Sequence, residues 1–256
     1  DKVILPALFA PLVAGIVALL ATKLAYAVTR RVDGNPNGRG RFKIAQIFSS
    51  SLVALAHGTN DAQKTMGIIT LTLISAGMLD SSDGVPFWVI ASCAVAIALG
   101  TYMGGWRIIR TLGSGLTEVK PAQGFAAETS TAVTILASSH LGFALSTTQV
   151  ASGSIIGSGV GRRGSVVRWG TAGRIVAGWL LALPAAAAVG AAAALLAGFG
   201  PWGLAIATLI GGLIIGAMVI VSRRTKVGAD NAISEVSEAA EAVDIPTKRP
   251  RRKVGR

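Results

Sequence analysis

Three groups of polar residues, each set in apolar sequence, are where this chain can do chemistry. The first is His57-Gly58-Thr59-Asn60-Asp61-Ala62-Gln63-Lys64, with Ser51 to Ala56 before it and Met66 to Leu71 after it. Ionisable side chains at membrane depth are costly and usually line a pathway or a site. A Gly-Thr-Asn-Asp break lets a helix stop and restart, with Asn60 capping the second half. The bland alternative is two helices joined by a solvent-exposed turn. Asp61 and Lys64 are three apart and pair on one helical face. That pair is either a neutralised structural bridge or a carboxylate holding a proton or cation.

The second group is Ser146-Thr147-Thr148-Gln149 ahead of Val150 to Gly157. It reads as a hydroxyl-rich helix start, with Ser146 or Thr147 as the cap. The free N–H groups of a helix's first turn make an anion site when such a start lies in mid-membrane; the alternative is ordinary capping without a ligand. The third group is Glu128, Thr131, Thr134 and Ser138, one polar stripe at helical spacing in an arm of Ala, Val, Ile and Leu. At membrane depth such a stripe is expected to line a cavity rather than meet solvent. His57 and His140 each border a break, either as hydrogen-bonded structural groups or as proton carriers.

The elements that must position these groups are membrane helices. The chain is 52% hydrophobic and 14% charged, with 32 glycines and a mean hydropathy of +0.61. That composition belongs to an all-α polytopic membrane protein whose helices approach through small residues. The pairs Gly100/Gly104, Gly153/Gly157, Gly157/Gly161 and Gly212/Gly216 all carry the small-residue spacing. The net charge of +12 does not indicate nucleic acid. Its basic residues flank apolar segments or crowd the 223–256 tail, with no aromatics among them. No nucleophile–base pair or metal-ligand set is present, so neither an enzyme nor a bound metal or cofactor is expected. The chain opens at Asp1 and enters an apolar segment at once, and it reads as part of a longer protein without a signal peptide.

Residues 1–222 form the expected transmembrane domain, and 223–256 a basic tail. Apolar segments run from Val3 to about Thr29, 44 to 79, Pro86 to about Trp106, Val166 to Leu196 with a bend at Pro184, and Trp202 to Val221. The 44–79 segment is too long for one straight helix and is expected to be broken or tilted. Residues 122–160 comprise two short arms, about Phe125 to Ala137 and Leu141 to Gly159, joined by Ser138-Ser139-His140. A single span there would put Arg162, Arg163 and Arg168 outside, against the excess of Lys and Arg on the cytoplasmic side, so a re-entrant hairpin is expected. By the same rule the Arg30 to Lys43 loop, with Asp33 to Gly38 inside it, and the C-terminal tail are cytoplasmic. A short acidic helix is expected from Asp230 to Val243. The basic end from Lys248 to Lys253 is expected to be solvated or to touch anionic lipid.

Gly58-Thr59-Asn60-Asp61, Glu128, and Leu145-Ser146-Thr147-Thr148-Gln149 leading into Gly153-Ser154-Ile155-Ile156-Gly157 together resemble the inorganic phosphate transporter family, Pit. The resemblance covers roughly Ile44 to Val221. It implies one half of an inverted-repeat transporter, in which each half carries a Gly-x-Asn-Asp and a Ser-Thr-Thr motif and both contribute to one phosphate site. By that resemblance Asn60, Asp61, Ser146, Thr147 and Thr148 match ligand-contacting positions, with Gln149 beside them. Sodium-driven members commonly have small residues at Gln63 and Lys64, so the Gln-Lys pair looks like the bacterial proton-coupled branch, which carries phosphate with a divalent metal. The expected function is secondary transport of phosphate across the plasma membrane by symport with a proton, or alternatively with sodium. Asp61, Lys64 and Glu128 would then handle the coupling ion and compensate charge. The alternative is a half-transporter or membrane scaffold that does not transport alone. Expected partners are phosphate, lipid, the missing N-terminal repeat or a partner half, and a second copy of the chain as a homodimer.

Overall fold

The computed structural model describes residues 4–32, 41–113, 115–143 and 145–224. Every regular element among them is a helix: α1 (Ile4–Val32), α2 (Arg41–Ser75), α3 (Phe87–Gly113), α4 (Pro121–His140), α5 (Thr147–Gly161), α6 (Trp169–Ala197) and α7 (Pro201–Arg224). They fall into two compact units, α1 to α5 and α6 with α7. The expectations for the Asp33 to Gly38 loop, the acidic helix from Asp230 and the basic end lie outside the described residues.

Three helices are long and apolar enough to cross a membrane, over Leu5–Thr29, Trp169–Ala197 and Pro201–Val221. Leu, Ile, Val and Phe side chains point outward along them. That arrangement suits hydrocarbon as the solvent. In the second unit α6 is one helix with Pro184 inside it. The turn to α7 passes through Gly200.

The first unit is small and polar inside. Thr22, Ser49, Asn60, Gln123, Ser130, Thr131, Thr147, Ser152, Ser154 and Ser158 are all buried. One apolar cluster of its core is Ala10 and Ala14 of α1, Ala56 of α2, Ile135 of α4, and Leu145 with Val150 at the start of α5. With lipid as apolar as any side chain, helices gain by close approach and by interhelical hydrogen bonds. Both occur here. A Cβ added at Gly153 would lie 2.1 Å from the Pro11 carbonyl oxygen, and one at Gly157 would lie 1.9 Å from that of Gly15. Only hydrogen fits at those two positions, so the Gly153/Gly157 spacing is the contact surface of α5 on α1. A Cβ added at Gly100, Gly212 or Gly216 would meet nothing within 4 Å. Ser130 donates to the Ala14 carbonyl at 2.9 Å, tying α4 to α1. The Gln123 amide donates to Ser158 at 3.4 Å, tying α4 to α5.

Two expectations are corrected. The 44–79 segment is not broken at Gly-Thr-Asn-Asp: α2 runs as one 35-residue helix through it. The Thr59 hydroxyl donates back to the Leu55 carbonyl at 2.8 Å, and the Thr65 hydroxyl donates to the Asp61 carbonyl at 3.3 Å. Asn60 caps nothing, because it is inside α2 and its amide donates to the Leu145 carbonyl in the turn between α4 and α5. An unbroken helix satisfies its own backbone, which matters most where water is scarce.

The second correction concerns the joint of the 122–160 hairpin. The two arms exist, but they meet at 141–146 rather than at Ser138-Ser139-His140. Ser138 stays helical by donating to the Ile135 carbonyl at 3.1 Å. The chain turns at Gly142, whose φ of +72° is open to glycine at little cost. The Phe143 N–H returns to the Ser138 carbonyl and the Gly142 N–H to that of Ser139, closing α4 in a Schellman motif.

Candidate functional site

His57, Asn60, Asp61 and Lys64 occupy one face of α2, at the spacing that stacks side chains over successive turns. That face meets the tip of the α4–α5 hairpin. The Asn60 amide donates to the Leu145 carbonyl at 3.2 Å, and the Lys64 ammonium donates to the same oxygen. Ser139, at the end of α4, donates to the Asn60 side-chain amide oxygen Oδ1 at 3.4 Å. The Asp61 carboxylate is 3.3 Å from Lys64 Nζ and 3.5 Å from His57 Nδ1. Lys64 and Asp61 keep 39% and 35% of their side-chain surface exposed, so their attraction is moderated by solvent. A partly open group of two fixed charges and an imidazole therefore stands where α5 begins.

Leu145 is the last residue before the cap of α5. Ser146 takes the N-cap position, and its hydroxyl accepts from the Gln149 N–H at 3.5 Å. By their place in the first turn, the N–H groups of Thr147 and Thr148 have no acceptor within the helix. The Thr147 hydroxyl is buried. It lies 2.8 Å from His57 Nδ1 and 3.4 Å from Asp61 Oδ2, and its one proton can serve either acceptor. Thr148 is exposed. The Gln149 side-chain oxygen Oε1 is buried without a hydrogen-bond partner. The helix dipole, the two first-turn N–H groups and the Lys64 charge all favour an anion at this point.

Of the residues singled out in the sequence, Asn60, Asp61, Lys64, Ser146 and Thr147 come together here, with Thr148 and Gln149 on the adjoining turn. Glu128 does not. It accepts from Ser49 of α2 at 2.5 Å. Ser49 precedes Asp61 by 12 residues, or about 18 Å along the helix. The expected cavity-lining stripe is also corrected in part. Thr131 donates to the Ala127 carbonyl of its own helix at 2.8 Å and is buried, as Ser138 donates to Ile135. Hydroxyls that return to the preceding turn need no cavity. His140 is exposed at the end of α4.

Sequence reasoning passed over the Leu145 carbonyl and Ser139, which hold the tip, and Ser49, which holds Glu128. A backbone carbonyl leaves no mark in a sequence. Ser49 stands in a Ser49-Ser50-Ser51 run in which only spatial proximity singles it out. Among the described residues no three His, Cys, Asp or Glu side chains converge as metal ligands do.

A probable low-affinity inorganic phosphate transporter of Mycobacterium tuberculosis is 60% identical over 192 residues, covering 75% of this chain and 46% of the relative. One from Bacillus subtilis with the same description is 38% identical over 181 residues, covering 70% of this chain and 54% of the relative. The chain thus spans about half the length of these curated relatives. A solved structure of a sodium-dependent phosphate transporter superposes with a TM-score of 0.56 at 22% identity, over 71% of this chain and 62% of that one. At that identity the likeness is one of fold. The model of the phosphate transporter family, a family of transporters and not of enzymes, matches residues 27–190. That match runs from the end of α1 into α6, across both α2 and the hairpin; the chain belongs to the phosphate transporter family.

Proposed function

We propose that this chain supplies one half of a phosphate-transport pathway across the plasma membrane. The α5 N-terminus would hold the anion, with Asp61 and Lys64 balancing its charge. One observation carries the reading: Asn60 and Lys64 both donate to the Leu145 carbonyl. That double tie fixes the first turn of α5, with its open N–H groups, against the charged face of α2. Thr147, Thr148 and Ser146 would bind phosphate through hydroxyl and backbone donors, and Gln149 would border the site. An inverted second unit, on this chain's parent or on a partner, would supply the facing helix start. The hairpin would be re-entrant, and the tail cytoplasmic.

The coupling ion would be a proton, with phosphate carried as the free anion or as a metal complex. Lys64 supports this, because a fixed positive charge three residues from Asp61 takes the place that a bound sodium ion would otherwise fill. The test is uptake of labelled phosphate by vesicles holding the full-length protein. Under an imposed pH gradient, accumulation without sodium is expected. Uptake that needs sodium and ignores a protonophore refutes the coupling, and no phosphate uptake at all refutes the function.

A further inference from the structure

His57 stands between the two groups on which this transport scheme depends. Its Nδ1 is 2.8 Å from Thr147 Oγ1 and 3.5 Å from Asp61 Oδ2. Thr147 Oγ1 and Asp61 Oδ2 are themselves 3.4 Å apart. The three atoms form a closed triangle that contains one hydroxyl proton.

With Nδ1 bare, the shortest contact is satisfied when Thr147 donates its proton to the imidazole. The hydroxyl then has no proton for an anion at the start of α5. With Nδ1 protonated, the imidazole donates to Thr147 Oγ1, and the hydroxyl proton turns outward to Asp61 or to a bound anion. A doubly protonated ring also adds a positive charge beside Asp61 and Lys64, at the positive end of the α5 dipole. Protonation of the Nε2–H tautomer, in which Nδ1 is bare, therefore frees a donor and adds a charge, and both changes favour an anion.

Few other groups can take this part. Asp61 and Lys64 share the α2 face with His57, and His140 ends α4. Glu128 on α4 lies several turns away, bonded to Ser49. α5 carries no titratable residue, and α3 offers Cys93 and Tyr102 among its described side chains. Imidazole is the side chain whose charge ordinarily changes between about pH 5 and 8.

We propose that His57 is the proton carrier of transport, taking up one proton as phosphate binds and releasing it as phosphate leaves. The proposal rests on the phosphate-transport reading above and adds to it the group that moves the proton. No covalent bond changes. The proton enters from the side where phosphate binds and departs with it on the other, and the ring returns neutral.

Two measurements test it on the full-length protein in vesicles. In the first, phosphate exchange is followed from pH 8 to pH 6, together with accumulation driven by a pH gradient, in wild type and His57→Gln. Glutamine keeps an amide donor but cannot titrate. The expected result is that His57→Gln loses gradient-driven accumulation by about ten-fold or more and that its exchange varies less with pH than that of wild type. An equal pH response and equal accumulation in the two proteins overturn the proposal. In the second, the imidazole titration of wild type is followed by NMR with and without inorganic phosphate. Coupling is reciprocal, so a ten-fold preference of phosphate for the protonated ring moves the His57 midpoint up by about one pH unit. A midpoint that phosphate does not move overturns the proposal even if His57→Gln fails to fold. Wild type that exchanges phosphate but ignores a pH gradient overturns it while leaving the transport reading intact. Wild type with no phosphate exchange at all overturns both.

Discussion

Ser49 on α2 donates its hydroxyl to the Glu128 carboxylate on α4 at 2.5 Å, joining the same two helices that Asn60 and Ser139 join nearer the hairpin tip. The two ties are about 16 Å apart along α2. One carboxylate therefore braces the base of the hairpin while the other stands at its tip. A group that far from the α5 N-terminus cannot touch an anion held there.

The brace gives the first prediction. Glu128→Gln keeps an acceptor for Ser49 on α4, whereas Glu128→Ala leaves it only the Gln46 carbonyl of its own helix, 3.1 Å away, and cuts the tie between the two helices. A lost hydrogen bond to a charged group costs about 1.5–3 kcal/mol. Thermal unfolding should show that loss for Glu128→Ala and a much smaller one for Glu128→Gln. Phosphate affinity should stay within about two-fold of wild type in Glu128→Gln, since the direct contribution of a charge falls steeply over such a distance. A ten-fold loss of affinity in that variant would place Glu128 at the anion.

The tie at the tip is redundant, which leads to a second prediction. Asn60 and Lys64 share one acceptor, the Leu145 carbonyl, and Leu145 itself is buried. Asn60→Leu or Lys64→Met alone leaves the other donor in place. The double variant strips the carbonyl of both and should lose more stability than the singles summed, with a coupling of about 1 kcal/mol. Additive losses would mean that the two donors act on α5 independently.

Much of this arrangement was legible in the sequence because bilayer and backbone chemistry constrain it so tightly. Apolar length marked α1, α6 and α7, and the Ser146 cap marked the start of α5. The polar residues Asn60, Asp61, Lys64 and Thr147 stood out against their apolar surroundings and do converge. What failed was the local reading of Gly58-Thr59-Asn60-Asp61 as a helix break. Glycine and asparagine favour breaks on propensity alone. In α2 the Asn60 side chain is claimed by Leu145, 85 positions away, and the Thr59 hydroxyl by its own helix. Similarly, Ser138 and Ser139 looked like a joint, yet the residue that turns the chain is Gly142. Which of several polar residues ends a helix depends on tertiary partners, and spacing does not carry those. The Glu128–Ser49 contact was hidden for the same reason.

The glycine contact of α5 on α1 offers a third prediction with an internal control. Gly157→Ala would put a methyl carbon 1.9 Å from the Gly15 carbonyl oxygen, which is backbone and cannot rotate aside. The helices must separate, at a cost of about 1–3 kcal/mol or more. Gly100→Ala meets nothing within 4 Å and should be tolerated. Folded yield and unfolding temperature in detergent distinguish the two. Equal stability of both variants would mean that α5 does not rest on α1 this closely.

The fourth prediction is topological. α5 has 15 residues and so extends about 22 Å, short of a hydrocarbon core of about 30 Å. Its buried side is lined by Ser152, Ser154 and Ser158. A hairpin that enters and returns fits those dimensions, and it keeps Arg162 and Arg163 on the side of the basic loops. Cysteines placed singly at Gly113 and Arg163, both exposed, in a background without Cys93, should label from the same side of the membrane. Opposite-side labelling would make α4 and α5 a crossing.

The last prediction separates two neighbouring threonines that the sequence treats alike. The Thr147 hydroxyl is buried and shared between His57 and Asp61. Thr148 is exposed, and it offers its backbone N–H at the second position of the helix. Valine matches threonine in shape but lacks the hydroxyl. Thr147→Val therefore removes a donor to the anion and also breaks the link between the imidazole and the carboxylate. Losing a hydrogen bond to a charged ligand costs about 1.5–3 kcal/mol, or roughly ten-fold or more in affinity. Thr148→Val leaves its backbone donor intact and should weaken phosphate binding by about three-fold at most. Thr147→Ser should recover most of the loss, because the hydroxyl returns without the methyl group. Equilibrium phosphate binding to the purified full-length protein measures all three variants. If Thr148→Val were the more damaging, the anion would lie on the exposed side of α5, away from the His57–Asp61 pair.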